Sequence, residues 1–244
     1  MKRVCSLATN LFRYAAFFLL VQLTACGSAP VADSANTTDV AAHTTLAAPA
    51  AEVEKDRLVV AFGDSLYAGL GLEQGQGFAP ALEAALTAQG LSVRVHNAGV
   101  SGDTSAAGLQ RLAFTLDGLP RKPDLVILGL GGNDMLRGLA PQDTKANLEA
   151  MLTELQRRKI KVVLTGMLAS PNMGPDFAAE FNPIYPRLAR KFGVTLYPFF
   201  LDGVIGHPAL ILPDGIHPND KGVQVIVAHV APVIVKVLGD ATPL

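Results

Sequence analysis

Five short apolar runs, rich in β-branched residues, recur through the chain after residue 57 and constrain its fold more than any other feature. Each run is four to six residues long and almost continuously hydrophobic, which is typical of strands covered on both faces. Longer amphipathic stretches separate the runs, so strands and helices are expected to alternate. The predicted strands are Leu58–Phe62, Val93–His96, Leu125–Leu130, Val162–Thr165 and Val194–Tyr197.

The stretches between these strands have the composition and the end signals of helices. Gly90 closes the first stretch, and Asp103 is predicted to cap the start of the second. Strand–helix alternation implies right-handed crossovers, and hence a parallel sheet between helices. Ligands bind such sheets outside the carboxyl ends of the strands, where the strand order reverses. The predicted helices are Phe78–Gln89, Thr104–Leu116, Asp143–Lys159, Phe177–Phe192 (interrupted by two prolines) and Asn219–Leu238.

The N-terminus has the features of an export signal. A basic start precedes the apolar run Tyr14–Leu23, which is too short to span a bilayer but has the length of a secretory signal core. The run ends in LTAC at Cys26, which resembles the lipobox of bacterial lipoproteins, whose cysteine receives lipid and becomes the new N-terminus. We therefore expect residues 1–25 to be a signal peptide and Cys26 to be lipidated. The alternatives are an ordinary signal peptide with a chance cysteine, or a buried core segment.

The segment after Cys26 is predicted to be a tether. Residues 26–56 are mostly Ala, Thr, Ser and Pro without apolar periodicity, so they cannot bury enough surface to fold and are expected to be disordered. Residues 57–244 have the length of one domain. Without the signal the chain has 17 basic and 21 acidic residues, and no basic patch or motif indicates nucleic acid. Membrane attachment would therefore come from lipid, and the absence of aspartate directly after Cys26 favours, by resemblance, the periplasmic face of the outer membrane.

Glycine-rich polar segments follow the first three predicted strands. They are Gly63–Leu66, Asn97–Gly102 and Gly131–Asp134. A serine at a strand-to-helix junction, such as Ser65, can present its hydroxyl at the sheet edge while its own N–H stays free. Gly99 would let the backbone approach a ligand closely. Each segment alone is an ordinary turn.

A fourth polar segment, Leu212–Pro218 (LPDGIHP), lies near the C-terminus. Asp214 and His217 stand three residues apart there, with a flexible glycine between them. This spacing lets the carboxylate reach the imidazole locally, fix its tautomer and stabilise its charged form. An imidazole held in this way can take the proton of a serine hydroxyl, which is a poor nucleophile until it is activated.

In this order the four segments resemble those of the GDSL-type SGNH hydrolases, and most of all the branch of bacterial periplasmic thioesterase/lysophospholipases and arylesterases. The matching stretches are VAFGDSLYAGLGL, HNAGVSGDTSAAGLQRL, LVILGLGGNDMLRG, FNPIYPRLARKFGV and LPDGIHPND. The resemblance implies a three-layer α/β/α, flavodoxin-like sandwich around a five-stranded parallel sheet. It makes Ser65 the nucleophile, His217 the general base and Asp214 the orienting acid. It assigns the oxyanion hole to the Ser65 N–H, the Gly99 N–H and the Asn133 amide.

The remaining polar residues near these segments are interpreted as structural, and no cofactor is expected. Neither paired Cys/His spacing nor HExxH indicates a metal, and GxxxxGK[ST] is absent. The GxSxG elbow of the α/β-hydrolases is absent too, since Gly99–Asp103 fails at its last position. The residues assigned structural roles are Asp64, Asp134, Ser101, Ser105, His96, His207 and His229.

The predicted substrate is a small-molecule ester or lipid. Met135–Leu139 and Leu168–Asp176 border the predicted site and are apolar or small apart from Arg137, which suits an acyl chain better than a sugar. Lysophospholipids and short or medium acyl or aryl esters are the expected class. Thioesters are secondary, because an exported enzyme meets little acyl-CoA. The alternatives are a carbohydrate O-acetylesterase of the envelope and a catalytically idle envelope-binding lipoprotein.

Overall fold

A five-stranded sheet, parallel throughout, is the middle layer of the fold in the computed structural model, which describes residues 57–239. The predicted signal peptide (1–25), Cys26 and the predicted tether (26–56) lie outside the described residues. All five predicted strands form, and the strand order is β2-β1-β3-β4-β5. The strands are β1 (Arg57–Gly63), β2 (Val93–Gly99), β3 (Leu125–Gly129), β4 (Lys161–Thr165) and β5 (Thr195–Tyr197).

Helices cover both faces of the sheet, which confirms the predicted three-layer α/β/α sandwich. Two of them are short helices that the sequence did not predict, and each of these follows closely on a strand whose loop carries a predicted site residue. The helices of the described residues are α1 (Ser65–Ala68), α2 (Phe78–Ala88), α3 (Ser105–Asp117), α4 (Gly132–Leu136), α5 (Pro141–Arg157), α6 (Pro175–Phe181), α7 (Ile184–Phe192) and α8 (Asp220–Gly239).

Two helix predictions need correction. The stretch predicted as one helix, Phe177–Phe192, is two helices, because the chain breaks at Pro183 between α6 and α7. Pro186 is accommodated because it lies in the first turn of α7, where a backbone N–H has no helical acceptor. The N-cap of α3 is Thr104 instead of Asp103: the Thr104 hydroxyl accepts a hydrogen bond from the Ala107 N–H at 3.3 Å.

The central strands are buried on both faces because their side chains alternate between two cores. In β1, Val59 and Ala61 pack towards α2 and α8, whereas Val60 and Phe62 pack towards α3, α5 and α7. Burial of a Val or Phe side chain contributes about 1.5–3 kcal/mol to stability. The almost continuous hydrophobicity of these strands is therefore a consequence of the helix layers on either side.

The last helix, α8, is valine-rich because it packs on the sheet. By length and composition alone, with a mean hydropathy of 1.8, it could also cross a membrane. In the fold it is a core helix, since one face of it joins the cluster of buried side chains that contains α2 and β1. The buried residues of that face are Gly222, Val223, Ile226, Val227, Val230, Ala231, Ile234 and Leu238.

The order of the strands decides where a site can form. The chain runs from β1 to β2 on one side and then crosses to β3 on the other side of β1. The loops that leave β1 and β3 therefore diverge from a crevice at the carboxyl edge of the sheet, which is where open α/β sheets bind ligands. Gly63–Leu66 and Gly131–Asp134 lie at this crevice.

Candidate active site

Ser65 is the first residue of α1 and lies at the turn from β1 into that helix. The side chain of the preceding residue, Asp64, caps the helix by accepting a hydrogen bond from the Leu66 N–H at 3.0 Å. The Ser65 N–H has no acceptor among the described residues, because a residue in the first turn has no carbonyl one turn earlier. Ser65 thus presents a hydroxyl and a free N–H at the same edge of the sheet.

The Leu212–Pro218 turn fixes Asp214 and His217 through its own hydrogen bonds. The Leu212 N–H donates to the His217 carbonyl at 2.7 Å, and Gly215 adopts a left-handed φ of 75° that glycine tolerates without strain. One carboxylate oxygen of Asp214 accepts the backbone N–H groups of Ile216 and His217 at 2.9 and 3.0 Å. The His217 N–H is the larger of the influences that lower the Asp214 pKa to about 2, followed by the Ile216 N–H.

His217 links this turn to Ser65. Its Nδ1 lies 2.6 Å from the second carboxylate oxygen of Asp214, and its Nε2 lies 2.8 Å from the Ser65 Oγ. Because the carboxylate is ionised and can only accept, Nδ1 carries the proton and Nε2 is left with a lone pair for the serine hydroxyl. The structure therefore brings the three residues predicted as a triad into one hydrogen-bonded row.

Asn133 lies in α4, directly after Gly131 and Gly132. Gly131 takes a φ of 112°, a conformation that turns the chain sharply from β3 into the helix. The Asn133 side-chain amide donates one hydrogen bond to the Asp103 carbonyl at 3.0 Å. A primary amide has a second N–H, and Asn133 lines the same cavity as Ser65 and His217.

Gly99, predicted as an oxyanion donor, is the site prediction that the structure contradicts. Its N–H already donates to the Asn97 Oδ1 at 2.9 Å, and Gly99 does not line the cavity. A Cβ at position 99 would lie 2.2 Å from the backbone nitrogen of Ala68, so this glycine serves the close approach of β2 and α1.

Gly102, three residues later in the same glycine-rich segment, was missed by the sequence reasoning. It lines the cavity together with Ser65 and Asn133, and its N–H has no acceptor within residues 57–239. The sequence held no signal that separated Gly102 from Gly99, because both glycines follow the second strand in the same short segment.

Two acidic residues beside the site were interpreted as structural. The Asp134 carboxylate, fully buried, accepts hydrogen bonds from the N–H and the hydroxyl of Ser105 at 2.7 and 2.5 Å and from the Thr144 hydroxyl at 3.2 Å. Ser105 accordingly starts α3, and Ser101 lies in the preceding turn. Asp64 caps α1.

The other three histidines of residues 57–239 are placed away from the site. His96 lies on β2, His229 lies on α8, and His207 precedes a 3-10 turn; none of the three lines the cavity. Within residues 57–239 no group of three or more His, Cys, Asp or Glu side chains has an arrangement that would hold a metal ion.

The cavity beside Ser65 has a volume of about 560 Å³ and a mostly apolar wall. Met135, Leu136 and the stretch 168–171 contribute to it, as the sequence predicted, but Phe199 and Leu201 were not foreseen because they follow a different strand. Five of its apolar side chains are large and at least 40% exposed, which is unusual for side chains of this size. They form the rim of the cavity: Leu70, Leu136, Leu168, Ile205 and Ile216.

The profile of the GDSL-like Lipase/Acylhydrolase family matches residues 61–225, which include every element of this site. The chain belongs to that family. Its relatives include the esterase TesA of Pseudomonas aeruginosa, 44% identical over 156 residues, which are 64% of this chain and 77% of that protein. Another is the thioesterase 1/protease 1/lysophospholipase L1 of Escherichia coli K12, 37% identical over 164 residues, which are 67% of this chain and 76% of that protein.

A solved structure has the same fold. It is the SGNH-hydrolase family esterase AlinE4, 49% identical, with a TM-score of 0.64 over 77% of this chain and 97% of that one. These likenesses confirm the predicted family, and they make this GDSL-family chain a hydrolase of ester bonds.

The buried Asp64 gives a pH prediction. Burial is the largest influence on its pKa and raises it to about 6, although the Leu66 N–H and His217 lower it. The unfolded chain, with an ordinary aspartate, releases this proton near pH 4, so Asp64 should destabilise the folded protein progressively between pH 4 and pH 6. Asp64→Asn keeps a cap but not the titration. We expect the free energy of unfolding of the wild type, relative to this variant, to fall by about 2–3 kcal/mol over this range.

Urea denaturation of both proteins from pH 4 to pH 7 checks this expectation. A difference between wild type and variant that stays constant with pH would contradict it.

Proposed function

We propose that Ser65, His217 and Asp214 are the catalytic triad of this ester hydrolase and that the Ser65 N–H, the Gly102 N–H and the Asn133 amide form its oxyanion hole. The observation that carries the proposal is the row of 2.8 and 2.6 Å contacts from the serine hydroxyl through the imidazole to the carboxylate. Such a row, with free donors beside the hydroxyl, is the arrangement that acyl transfer through a serine requires.

In this mechanism His217 Nε2 takes the Ser65 proton while Oγ forms a bond to the ester carbonyl carbon. The negative charge that develops on the carbonyl oxygen is stabilised by the three donors, which are held in place before the reaction. His217 then gives its proton to the leaving alcohol oxygen, and the bond from that oxygen to the acyl carbon breaks. The same nitrogen then takes a proton from water, whose oxygen forms a bond to the acyl carbon. The bond from that carbon to Ser65 Oγ breaks, Oγ takes the proton back from His217, and the carboxylic acid is released. Asp214 keeps the ring oriented and stabilises its charged form.

The cavity supports an acyl chain as the group that is recognised. A volume of about 560 Å³ with an apolar wall exceeds what an acetyl group fills. This favours acyl esters, lysophospholipids among them, over an envelope O-acetyl group. The preorganised row at Ser65 speaks against an idle binding protein, and the name of the Escherichia coli relative makes thioesters a candidate second substrate.

Location is the part of the proposal that rests on residues outside the described range. We propose that 1–25 is a signal peptide, that Cys26 carries lipid and that 26–56 tethers the domain 57–244 to the periplasmic face of the outer membrane. The sequence LTAC, the apolar run before it and the lack of large side chains after it support this arrangement.

Ser65→Ala and His217→Ala should abolish hydrolysis of p-nitrophenyl esters while the far-UV circular dichroism stays that of the wild type.

Asn133→Ala should lower kcat by about 10²–10³, because one preorganised oxyanion donor is lost. Asn172→Ala is the matched control, since Asn172 is an exposed asparagine next to Pro171, which lines the cavity. Unchanged turnover in either Ser65→Ala or His217→Ala, or failure of a fluorophosphonate to label Ser65, would refute the triad.

Chain-length preference tests the cavity. Leu168 lies on its rim and is 44% exposed, whereas Leu139 is 39% exposed and does not line it. Leu168→Gln should lower kcat/KM for an octanoyl ester about five- to tenfold, from lost apolar contact, and leave an acetyl ester unchanged. Leu139→Gln should affect neither ester. Equal effects of the two variants on both esters would place the acyl chain elsewhere.

Lipidation of Cys26 can be tested by expressing the full chain and Cys26→Ser with a radiolabelled fatty acid. The wild type should incorporate label and fractionate with membranes, whereas Cys26→Ser should do neither. Label retained by Cys26→Ser, or no label in the wild type, would refute lipidation of Cys26. An ordinary secretory signal would then be the remaining interpretation of the N-terminus.

A further inference from the structure

Arg111, on α3, touches two of the loops that build the site. Its Nη2 donates to the Gly63 carbonyl at 2.9 Å, just before Asp64 and Ser65. Its Nε donates to the Asp103 carboxylate at 2.6 Å. The guanidinium also lies over the Phe62 ring, 4.0 Å from its centre. One side chain therefore ties the end of β1 to the loop after β2.

Asp103 connects Arg111 to Asn133, which follows β3. Its carboxylate is held by Arg111, while its backbone carbonyl accepts the Asn133 amide at 3.0 Å. That hydrogen bond fixes the rotation of the amide, and hence the direction of its second N–H. The residue before it, Gly102, carries another of the proposed donors. A shift of Asp103 would move both donors relative to Ser65.

We propose that Arg111 is a positioning residue for the oxyanion hole, acting through Asp103 on Asn133 and Gly102; the proposal rests on the function proposed above. Arg111 does not line the cavity. It sets the distance between the nucleophile and the donors, since it contacts the strand that carries Ser65 and the loop that orients the donors. Misplacement of catalytic groups by about 1 Å can lower rates roughly 10²-fold.

The surroundings of Arg111 suit this role better than a general contribution to stability. The α3 helix is already anchored to the core by Leu112 and Leu116, which are buried. The Arg111 side chain is 20% exposed, and its ion pair, its carbonyl contact and its ring contact are made with three different residues. A planar guanidinium can serve all three, whereas the single ammonium of lysine cannot.

Arg137 holds the same loop from outside. Its Nη2 donates to the Gly102 carbonyl at 2.7 Å, but the contact is exposed to solvent. Exposed charged contacts contribute little to stability because solvent screens them. The sheltered Arg111, which contacts Asp103, is therefore the stronger of the two restraints on this loop.

Steady-state kinetics of Arg111→Met with a p-nitrophenyl ester tests the proposal. We expect kcat to fall about 10- to 100-fold with KM within about twofold of the wild type, because transition-state contacts are lost and ground-state binding is kept. The kcat of Arg111→Lys should lie between that of the wild type and that of Arg111→Met. Arg158→Met is the matched control: Arg158 also has a side chain that is 20% exposed and ion-paired, but it lies after α5, at the opposite edge of the sheet, and kcat should not change.

A double-mutant cycle with Asn133→Ala separates positioning from a structural role. If Arg111 acts through the donors, Arg111→Met should lower kcat clearly less in the Asn133→Ala background than in the wild type, because only the Gly102 donor is then left to be misplaced. Effects that multiply in full, or a normal kcat in Arg111→Met, would overturn the proposal. If Arg111→Met does not fold, as judged by its melting temperature, Arg111→Lys enters the same cycle. Loss of hydrolysis in Ser65→Ala is measured separately, so failure of the proposed function is distinguishable from failure of this inference.

Discussion

The hydrogen bond between Ser65 and His217 is the contact on which the rest of the site depends. It joins residues 152 positions apart across 2.8 Å, so both partners must be placed to within a fraction of that distance. The two halves are placed independently. The serine is held by the end of β1 and the cap on α1, whereas the histidine is held by a turn that closes its own hydrogen bonds. Only the packed sheet brings the two into register.

The reversal of strand order at β1 explains why the donors converge on the same point. Loops that leave β1 and β3 separate from each other at the carboxyl edge, and the crevice between them is where we propose that the carbonyl of an ester binds. The loop after β2 crosses this edge because Gly99 lets β2 approach α1 closely, after which Gly102 reaches the cavity. Gly99 therefore serves packing, whereas Gly102 lies at the site.

Two aspartates at the site differ in charge behaviour because their surroundings differ. Asp214 is partly exposed and accepts backbone N–H groups, so its pKa lies near 2 and it is an anion throughout the physiological range. Asp64 is buried directly before Ser65, and burial raises its pKa to about 6. The anion that steers the imidazole is thus the one whose charge is stabilised by hydrogen bonds. The other aspartate contributes a helix cap at some loss of stability above pH 6.

The sequence by itself determined the strands, their parallel arrangement and the local Asp214–His217 unit, because each of these depends on periodicity or on contacts between near neighbours. It also placed Ser65 and Asn133 at the right strand ends. Tertiary structure decided the rest. Gly99 and Gly102 are alike in sequence, and only the hydrogen bond to Asn97 and the approach of α1 distinguish them. The break at Pro183, the cavity wall from Phe199 and Leu201, and the reach of Arg111 from α3 to two loops all depend on contacts between distant segments, which local patterns do not encode.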